Sequence, residues 1–482
     1  MERLYRALEI YSQEDYYPFH MPGHKRNPKT VNTKLPFDRD ITEIEGFDNL
    51  HHPEGILKKA QETTADIYGT RECYYSINGS TAALLAAISA AVPRNGQILV
   101  ARNSHKAVYH ALYIRNLMPT YIYPQMDSKW WINGGISPDK VERALAEKQE
   151  IKAVLITSPT YDGVVSDIEK IAEIAHRYEI PLIVDEAHGA HFHFSNYFPT
   201  SAADLGADLV IQSFHKTLPS MTQTAVLHNC SDRVDSRLIR RFMGIYQSSS
   251  PSYILMASMD ACMEKMDSDG NEMFREFTKN LEKTRRRLSE CKHIRLFAPE
   301  IGETGIFAYD RSKLIFSTRY ASVTGIELAK ILLEKYHLQM EMETEHYVVA
   351  LTAVGDSEEG FERLCQAIEE LDREEGKKKK ETEEQTIKRT AYTSLNQLMS
   401  VTEAMESQSE ICRLEESIGQ ISAEFGYLYP PGIPLIVPGE QITGQFIRNM
   451  RIYMEEGLYL QGLEDYTNET IRVVSQNTMK EQ

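Results

Sequence analysis

Short apolar runs and longer segments with helical spacing take turns along the first half of the chain. The runs are ECYYSI, QILVA, YIYP, KAVLIT, PLIVDE and DLVIQS. Most are separated by helix-length segments such as STAALLAAISAAV, SPDKVERALAEKQ and DIEKIAEIAHRYE, and GILKKAQETTADIYG precedes the first run and stops at Gly69. A strand, helix, strand rhythm that repeats predicts parallel βαβ units and a doubly wound α/β sheet.

The pattern changes after about Pro251. SYILMASMDACMEKM and the charged FREFTKNLEKTRRRLSECK read as helix, and KLIFSTR, TGIELAKILLEKY, HYVVALTA and FERLCQAIEELDREE read as a second, smaller α/β region. EEGKKKKETEEQT has charge without apolar anchors and reads as a solvated linker. Beyond it, YPPGIPLIVPGEQIT lies in a C-terminal unit, where prolines and glycines predict a turn-strand-turn path. The Pro- and His-rich start, with YYPFHMPGHKRNPKT, shows no sustained period and reads as an arm over a neighbour. The divisions are therefore an arm at 1–40, a large domain at 41–255, a small domain at 256–372, a linker at 373–390 and a C-terminal domain at 391–482.

With 482 residues, 42% apolar and 26% charged, the composition is that of a globular protein with well-buried cores. No stretch approaches the roughly 20 continuous apolar residues of a membrane span, and the charged first residues, MERLYRALEIYSQ, lack the apolar segment of a secretory signal. Six cysteines stand singly (Cys73, Cys230, Cys262, Cys291, Cys365 and Cys412), which fits a reduced, cytoplasmic compartment. A formal charge of -17 argues against nucleic-acid and anionic-membrane partners, because phosphate binding needs clustered Lys and Arg.

In an open parallel sheet, ligands bind beyond the carboxyl ends of the strands. Five predicted strands end there in polar or ionisable residues: Asn78-Gly79-Ser80-Thr81, Arg102-Asn103-Ser104-His105-Lys106, Ser158-Pro159-Thr160-Tyr161-Asp162-Gly163, Asp185-Glu186-Ala187-His188 and Ser213-Phe214-His215-Lys216. Gly79-Ser80-Thr81 at a helix start offers free amides, hydroxyls and the positive end of the dipole, which suits a phosphate dianion. Asp185, ending an apolar strand, needs a cationic partner such as a protonated pyridine nitrogen. His105 could lie flat on a ring, and Lys216 could form a Schiff base once desolvated. Phosphate cup, ring platform, pyridinium counter-ion and aldehyde-capturing lysine are what pyridoxal 5'-phosphate requires.

The run SFHKTLPSMTQTAVLH resembles the Schiff-base segment of the bacterial Orn/Lys/Arg decarboxylase family. HMPGHKRN, FDNLHHPEGILKKAQ, NGSTAALLAAI, RNSHKAVYHAL, TSPTYDGVVSDI, VDEAHGAHF, QSSSPSYILMASMD and YPPGIPLIVPGEQIT are similar to family segments in the same order. The length resembles the family's short form, without a receiver-like N-terminal domain. The resemblance implies an aspartate-aminotransferase-like large domain (fold type I) with a mostly parallel sheet, a small α/β domain and a C-terminal α+β domain. It implies that Lys216 is the Schiff-base lysine, with Ser80, Thr81, Ser213 and His215 at the phosphate. Asp185 pairs with the pyridine nitrogen, His105 and Ala187 face the two sides of the ring, and His188 lies in the same cofactor-binding set. A hydroxyl from a neighbouring subunit, Ser248 by position, reaches the phosphate, so a homodimer or higher homo-oligomer with shared sites is implied. Two departures, Asp48-Asn49 where the family has two acids and Asn27 where it often has Gly, lie outside the cofactor set.

The implied reaction is decarboxylation of a basic amino acid to an amine of the polyamine pathway. Lys216, His215 and Asp185 form the catalytic set, and arginine is favoured over lysine or ornithine by the short form. Asp48, Asp162 and Glu440 are the acids considered for the substrate's distal cation. Three alternatives share some of these residues. His188, His191 and His193 could suggest a metal, although HGAHFHF follows a strand, whose alternation, if continued, would send His191 and His193 to one side with no carboxylate between them. An aminotransferase or aldolase of the same fold would hold the substrate carboxylate with an arginine, for which Arg311 and Arg319 are available. A non-catalytic pyridoxal-phosphate-binding homologue is the third.

Overall fold

The computed structural model describes residues 3–14, 17–18, 20–22, 24–27, 35–127, 129–302, 305–376, 394–428, 433–455 and 460–475. Part of the arm, residues 377–390 of the charged linker and Tyr429-Pro430-Pro431-Gly432 lie outside the described residues.

A seven-stranded sheet forms the centre, in the order Glu72–Ser76, Ala225–Asn229, Leu209–Ser213, Leu182–Asp185, Ile151–Thr157, Gln97–Ala101, Met118–Ile122. The last five are mutually parallel, and Ala225–Asn229 runs against both of its neighbours. Strands buried on both faces read as continuous apolar runs rather than alternating ones, as LIVD and LVIQS do here. The Ala-rich helix Gly79–Ala91 packs between this sheet and the helices Lys106–Arg115 and Ser236–Tyr246. Its small side chains allow close approach on every side, and eight of its residues are buried. Helix Ile56–Tyr68 stops where Gly69 takes a left-handed conformation (φ 64°), which a residue without Cβ adopts at no steric cost.

Helix Tyr253–Leu288 links this body to a four-stranded antiparallel sheet ordered Arg295–Leu296, Lys313–Ser317, Tyr347–Leu351, Met342–Glu343, flanked by helices Gly325–Tyr336 and Glu358–Glu375. A C-terminal α+β unit follows, with two small antiparallel pairs, Ser409–Arg413 with Thr470–Val474 and Gly426–Leu428 with Ile433–Ile436, and helix Gly444–Glu455.

Three features differ from the sequence reading. The arm contains a helix, Leu4–Gln13, whose Leu4, Ala7, Leu8 and Tyr11 are buried. Its Leu4 amide and Arg3 side chain bond Asp260 of the chain's own long helix. The apolar spacing i, i+3, i+4, i+7 was present in the sequence but short and followed by Pro-rich text. Helix Tyr253–Leu288 runs through the expected boundary at 255/256, so no loop separates the two regions there. Finally, Phe192–Phe194 is a 3-10 turn, not a continuing strand, and sends its histidines to different partners. Among the described residues no group of three or more His, Cys, Asp or Glu could hold a metal ion, and no helix is long and apolar enough to cross a membrane.

Candidate active site

The strand ends meet as the sequence suggested. A cavity of about 480 Å³ is lined by Ser80, Thr81, His105, Asp185, Ala187, His188, Ser213, His215 and Lys216, together with Asn103, Tyr161, Glu341 and Ile433 among others. Ser248 is the one residue of the implied cofactor set outside it. Exposed, its hydroxyl donates to the Ser250 carbonyl at 3.2 Å.

At the start of helix Gly79–Ala91, Ser80 Oγ lies 2.6 Å from Ser213 Oγ. The preceding Asn78 makes no side-chain cap bond, so two hydroxyls and the helix's first amides converge where a dianion is favoured. Thr222 and Gln223 complete that wall. His215 spends Nδ1 on the Thr224 carbonyl at 2.8 Å.

Asp185 closes its strand at 3% exposure. Its carboxylate accepts the Ala187 amide at 3.2 Å, and among the described residues it makes no salt bridge. Burial pushes the carboxyl above its ordinary value, against the pull of Lys216. Burial likewise pushes the Lys216 amine down, against Asp185 and Glu341. A buried acid that makes no salt bridge among the described residues, across a cavity from a lysine whose amine burial pushes down, is the donor set a protonated pyridine bearing an aldehyde would complete. His105 accepts the Ala107 amide at Nδ1 (3.2 Å), capping helix Lys106–Arg115. Burial, then Lys216 and Lys106, lower it to about 4, so at neutral pH it presents an uncharged aromatic face. Ala187, 7% exposed, adds only a methyl group. The residues present fit the cofactor.

His188 bonds Lys216 Nζ through Nε2 at 3.0 Å and Lys313 Nζ through Nδ1 at 3.1 Å. His191 pairs with Asp310 at 3.2 Å, and His193 with Asp204 at 3.8 Å. Those histidines do not converge on one point, which removes the structural basis for a metal there.

The three acids considered for the distal cation are committed elsewhere. Asp48 accepts the amides of Glu54, Gly55, Leu57 and Lys58 and so begins helix Ile56–Tyr68. Asp162, buried, accepts the Tyr347 hydroxyl at 2.9 Å. Glu440 forms a two-point salt bridge with Arg102. Among the described residues, the acid on the cavity wall besides Asp185 is Glu341, which accepts the Tyr161 hydroxyl. Sequence reasoning missed it because HLQMEME offers no spacing that separates Glu341 from an ordinary surface acid. Arg311 bonds Glu282 and Arg319 bonds the Lys129 carbonyl, and neither lines the cavity.

The family model described as Orn/Lys/Arg decarboxylase, major domain, matches residues 2–313, and that described as Orn/Lys/Arg decarboxylase, C-terminal domain, matches residues 379–470. The sequence is 32% identical over 480 residues to an arginine decarboxylase of Bacillus subtilis (strain 168), covering 98% of each chain. Among solved structures, lysine decarboxylase A from Pseudomonas aeruginosa superposes with a TM-score of 0.83 at 20% identity, covering 98% of this chain and 80% of that one. Serine palmitoyltransferase of Sphingomonas wittichii superposes with a TM-score of 0.53 at 15% identity, over 66% of this chain and 77% of that one. At such identities these two likenesses speak for the fold.

Proposed function

The chain belongs to the Orn/Lys/Arg decarboxylase family, and from that premise we propose that it removes the α-carboxylate of a basic amino acid, arginine first, using pyridoxal 5'-phosphate held at Lys216. The observation that carries this reading is one cavity containing a desolvated lysine, a buried carboxylate without a cation and two touching hydroxyls at a helix start. A structure of serine palmitoyltransferase, which shares the fold, is described with pyridoxal phosphate.

When bound, the cofactor supplies an aldehyde for an amine and a protonated ring that accepts the electrons released with CO2. The chain's residues do the rest. Ser80, Thr81 and Ser213 bind the phosphate with hydrogen bonds and the helix dipole. Asp185 keeps a proton at the ring nitrogen, since a buried anion and a buried cation neutralise one another's desolvation cost. His105, neutral, covers one face of the ring, and Ala187 leaves room at the other. Glu341 receives the substrate's distal cation at the cavity mouth, with Tyr161 steadying its carboxylate. Lys216 and His215 stand on the wall as donors for the proton that replaces the carboxylate at Cα.

Further parts of the reading concern organisation. Ser248, exposed and outside its own cavity, serves the phosphate site of a second copy, giving a homodimer with shared sites. The divisions near 40, 255, 372 and 390 describe working units. A reducing, cytoplasmic setting suits six cysteines that are all unpaired. Arg311 and Arg319 lie away from the cavity, which weakens transamination, the nearest competing chemistry.

Assay of the purified protein with pyridoxal phosphate against arginine, lysine and ornithine tests the proposal, by following CO2 and the product amine. Release of CO2 with the highest kcat/KM on arginine is expected. Keto-acid formation without CO2 would overturn it.

A further inference from the structure

Asn103 lines the same cavity at 5% exposure, and among the described residues its side chain makes no hydrogen bond. A buried amide left unpaired destabilises a fold, which marks this one as the seat of a ligand's polar group. Its chain neighbours are bound elsewhere. Arg102 is held by Glu440 and the Pro434 carbonyl, and Ser104 Oγ donates to the Ala101 carbonyl at 2.6 Å. The amide itself can turn over about its last torsion without breaking a bond, so it can present a donor or an acceptor.

The order of strands decides which group of the ligand it meets. Leu209–Ser213, Leu182–Asp185, Ile151–Thr157 and Gln97–Ala101 are consecutive neighbours in the central sheet. The touching hydroxyls of Ser80 and Ser213 lie at the end of the first, and Asp185 ends the second. On a pyridoxal ring, one side of the nitrogen leads round to the phosphate arm, and the other leads to the C2 methyl and then the C3 phenolic oxygen. With the phosphate at Ser213 and the nitrogen at Asp185, the methyl and phenolic edge faces the remaining two strands. Thr157, the register partner of Asp185, stands first along that edge, and its hydroxyl leans on Ser104 Oγ at 3.4 Å. Asn103, two residues past Gln97–Ala101, comes next and carries the uncommitted polar group. The other polar side chains nearby are engaged: His188 by two lysines, Tyr161 by Glu341, and His105 Nδ1 by the Ala107 amide.

We infer that the Asn103 amide binds the phenolic oxygen of the cofactor, on the ring edge opposite the phosphate. Only the identity of the ring rests on the functional reading above; the edge is one that Ser80, Ser213, Asp185 and His105 leave without a polar contact. An amide suits that oxygen in either state, donating to a phenolate or accepting from a phenol.

Equilibrium dialysis of the full-length apoprotein against pyridoxal 5'-phosphate and against its 3-deoxy analogue, which lacks the phenolic oxygen, tests this. Asn103→Leu keeps the approximate volume and removes both polar groups. Wild type is expected to prefer pyridoxal phosphate, and that preference should shrink about tenfold or more in the variant, the worth of a hydrogen bond to a charged oxygen. The ring's own readiness to condense with Lys216 differs between the two ligands but cancels when the two ratios are compared. Damage to the cavity alone would weaken both ligands by one factor, so an unchanged ratio would overturn the inference. If Asn103→Leu does not fold, judged by its melting transition, Asn103→Ala replaces it and the same loss of preference is expected. Wild type that takes up neither ligand would overturn the functional reading and this inference with it, whereas uptake of both with a ratio that the variant leaves unchanged overturns this inference alone.

Discussion

Arg102 and Glu440 form a clamp whose removal has a calculable cost. Arg102 Nε and Nη2 meet the two Glu440 oxygens at 3.1 and 3.0 Å, with side-chain exposures of 2% and 0%. Arg102 Nη1 also donates to the Pro434 carbonyl at 2.6 Å, and the Val437 amide donates to Glu440 at 2.8 Å. Burial works against the Arg102 charge, but Glu440 and the hydroxyls of Tyr109 and Tyr121 hold it protonated, well above its ordinary value. Removing one partner strands the other charge in the interior, at a cost of about 3–5 kcal/mol. Arg102→Met and Glu440→Gln are therefore each expected to cost about that much. Arg102→Met with Glu440→Leu should cost less than either single change, because no charge remains unpaired. Hydrogen exchange is the assay. In each single variant the Val437 and Glu440 amides should lose protection on the order of 10²–10³-fold. Because Asn103 and Ile433, the chain neighbours of Arg102 and Pro434, line the cavity, cofactor affinity should fall in the same variants. Single-variant costs below about 1 kcal/mol, or costs that simply add in the double variant, would refute the reasoning.

Three further outcomes are expected. Glu341→Gln keeps an acceptor for Tyr161 but loses the charge, so kcat/KM for arginine should fall about 10–150-fold, the worth of a charged hydrogen bond of 1.5–3 kcal/mol; an unchanged ratio of arginine to citrulline turnover would count against Glu341 as the cation's partner. His105 has a folded value depressed to about 4, so its contribution to stability is complete above about pH 6.5 and lost as pH falls through 4, at most about 3 kcal/mol. His105→Phe should flatten the urea midpoint of the apoprotein between pH 7 and 4.5 relative to wild type, and an identical slope would disprove the assignment. Borohydride reduction of the protein mixed with pyridoxal phosphate should fix the cofactor on the Lys216 peptide, and Lys216→Ala should abolish that mass increment; label found on another lysine would move the site.

What the sequence could convey followed distance along the chain. Each polar cluster that directly follows an apolar run, Asp185 after LIV or Lys216 just past LVIQS, lies on the cavity as read, since a strand's carboxyl end fixes its successor within a few residues. Strand Ala225–Asn229 went unread because its apolar residues sit inside the Schiff-base segment and it opposes its neighbours, breaking the βαβ rhythm. Charged residues in later segments were misassigned for a different reason. Glu440, in the segment VPGEQIT, was among the acids considered for substrate, yet its cation, Arg102, lies 338 residues away in sequence. Lys313 went unnoticed because a lysine opening an apolar strand usually faces solvent, and only the fold brings it 3.1 Å from a histidine 125 residues earlier. Local pattern thus reports which groups a strand end offers, whereas burial in the assembled fold is the first cause of the shift at Asp185, His105 and Lys216 alike. The lysine legible at position 216 has its amine pushed down first by burial, which no spacing around it reveals.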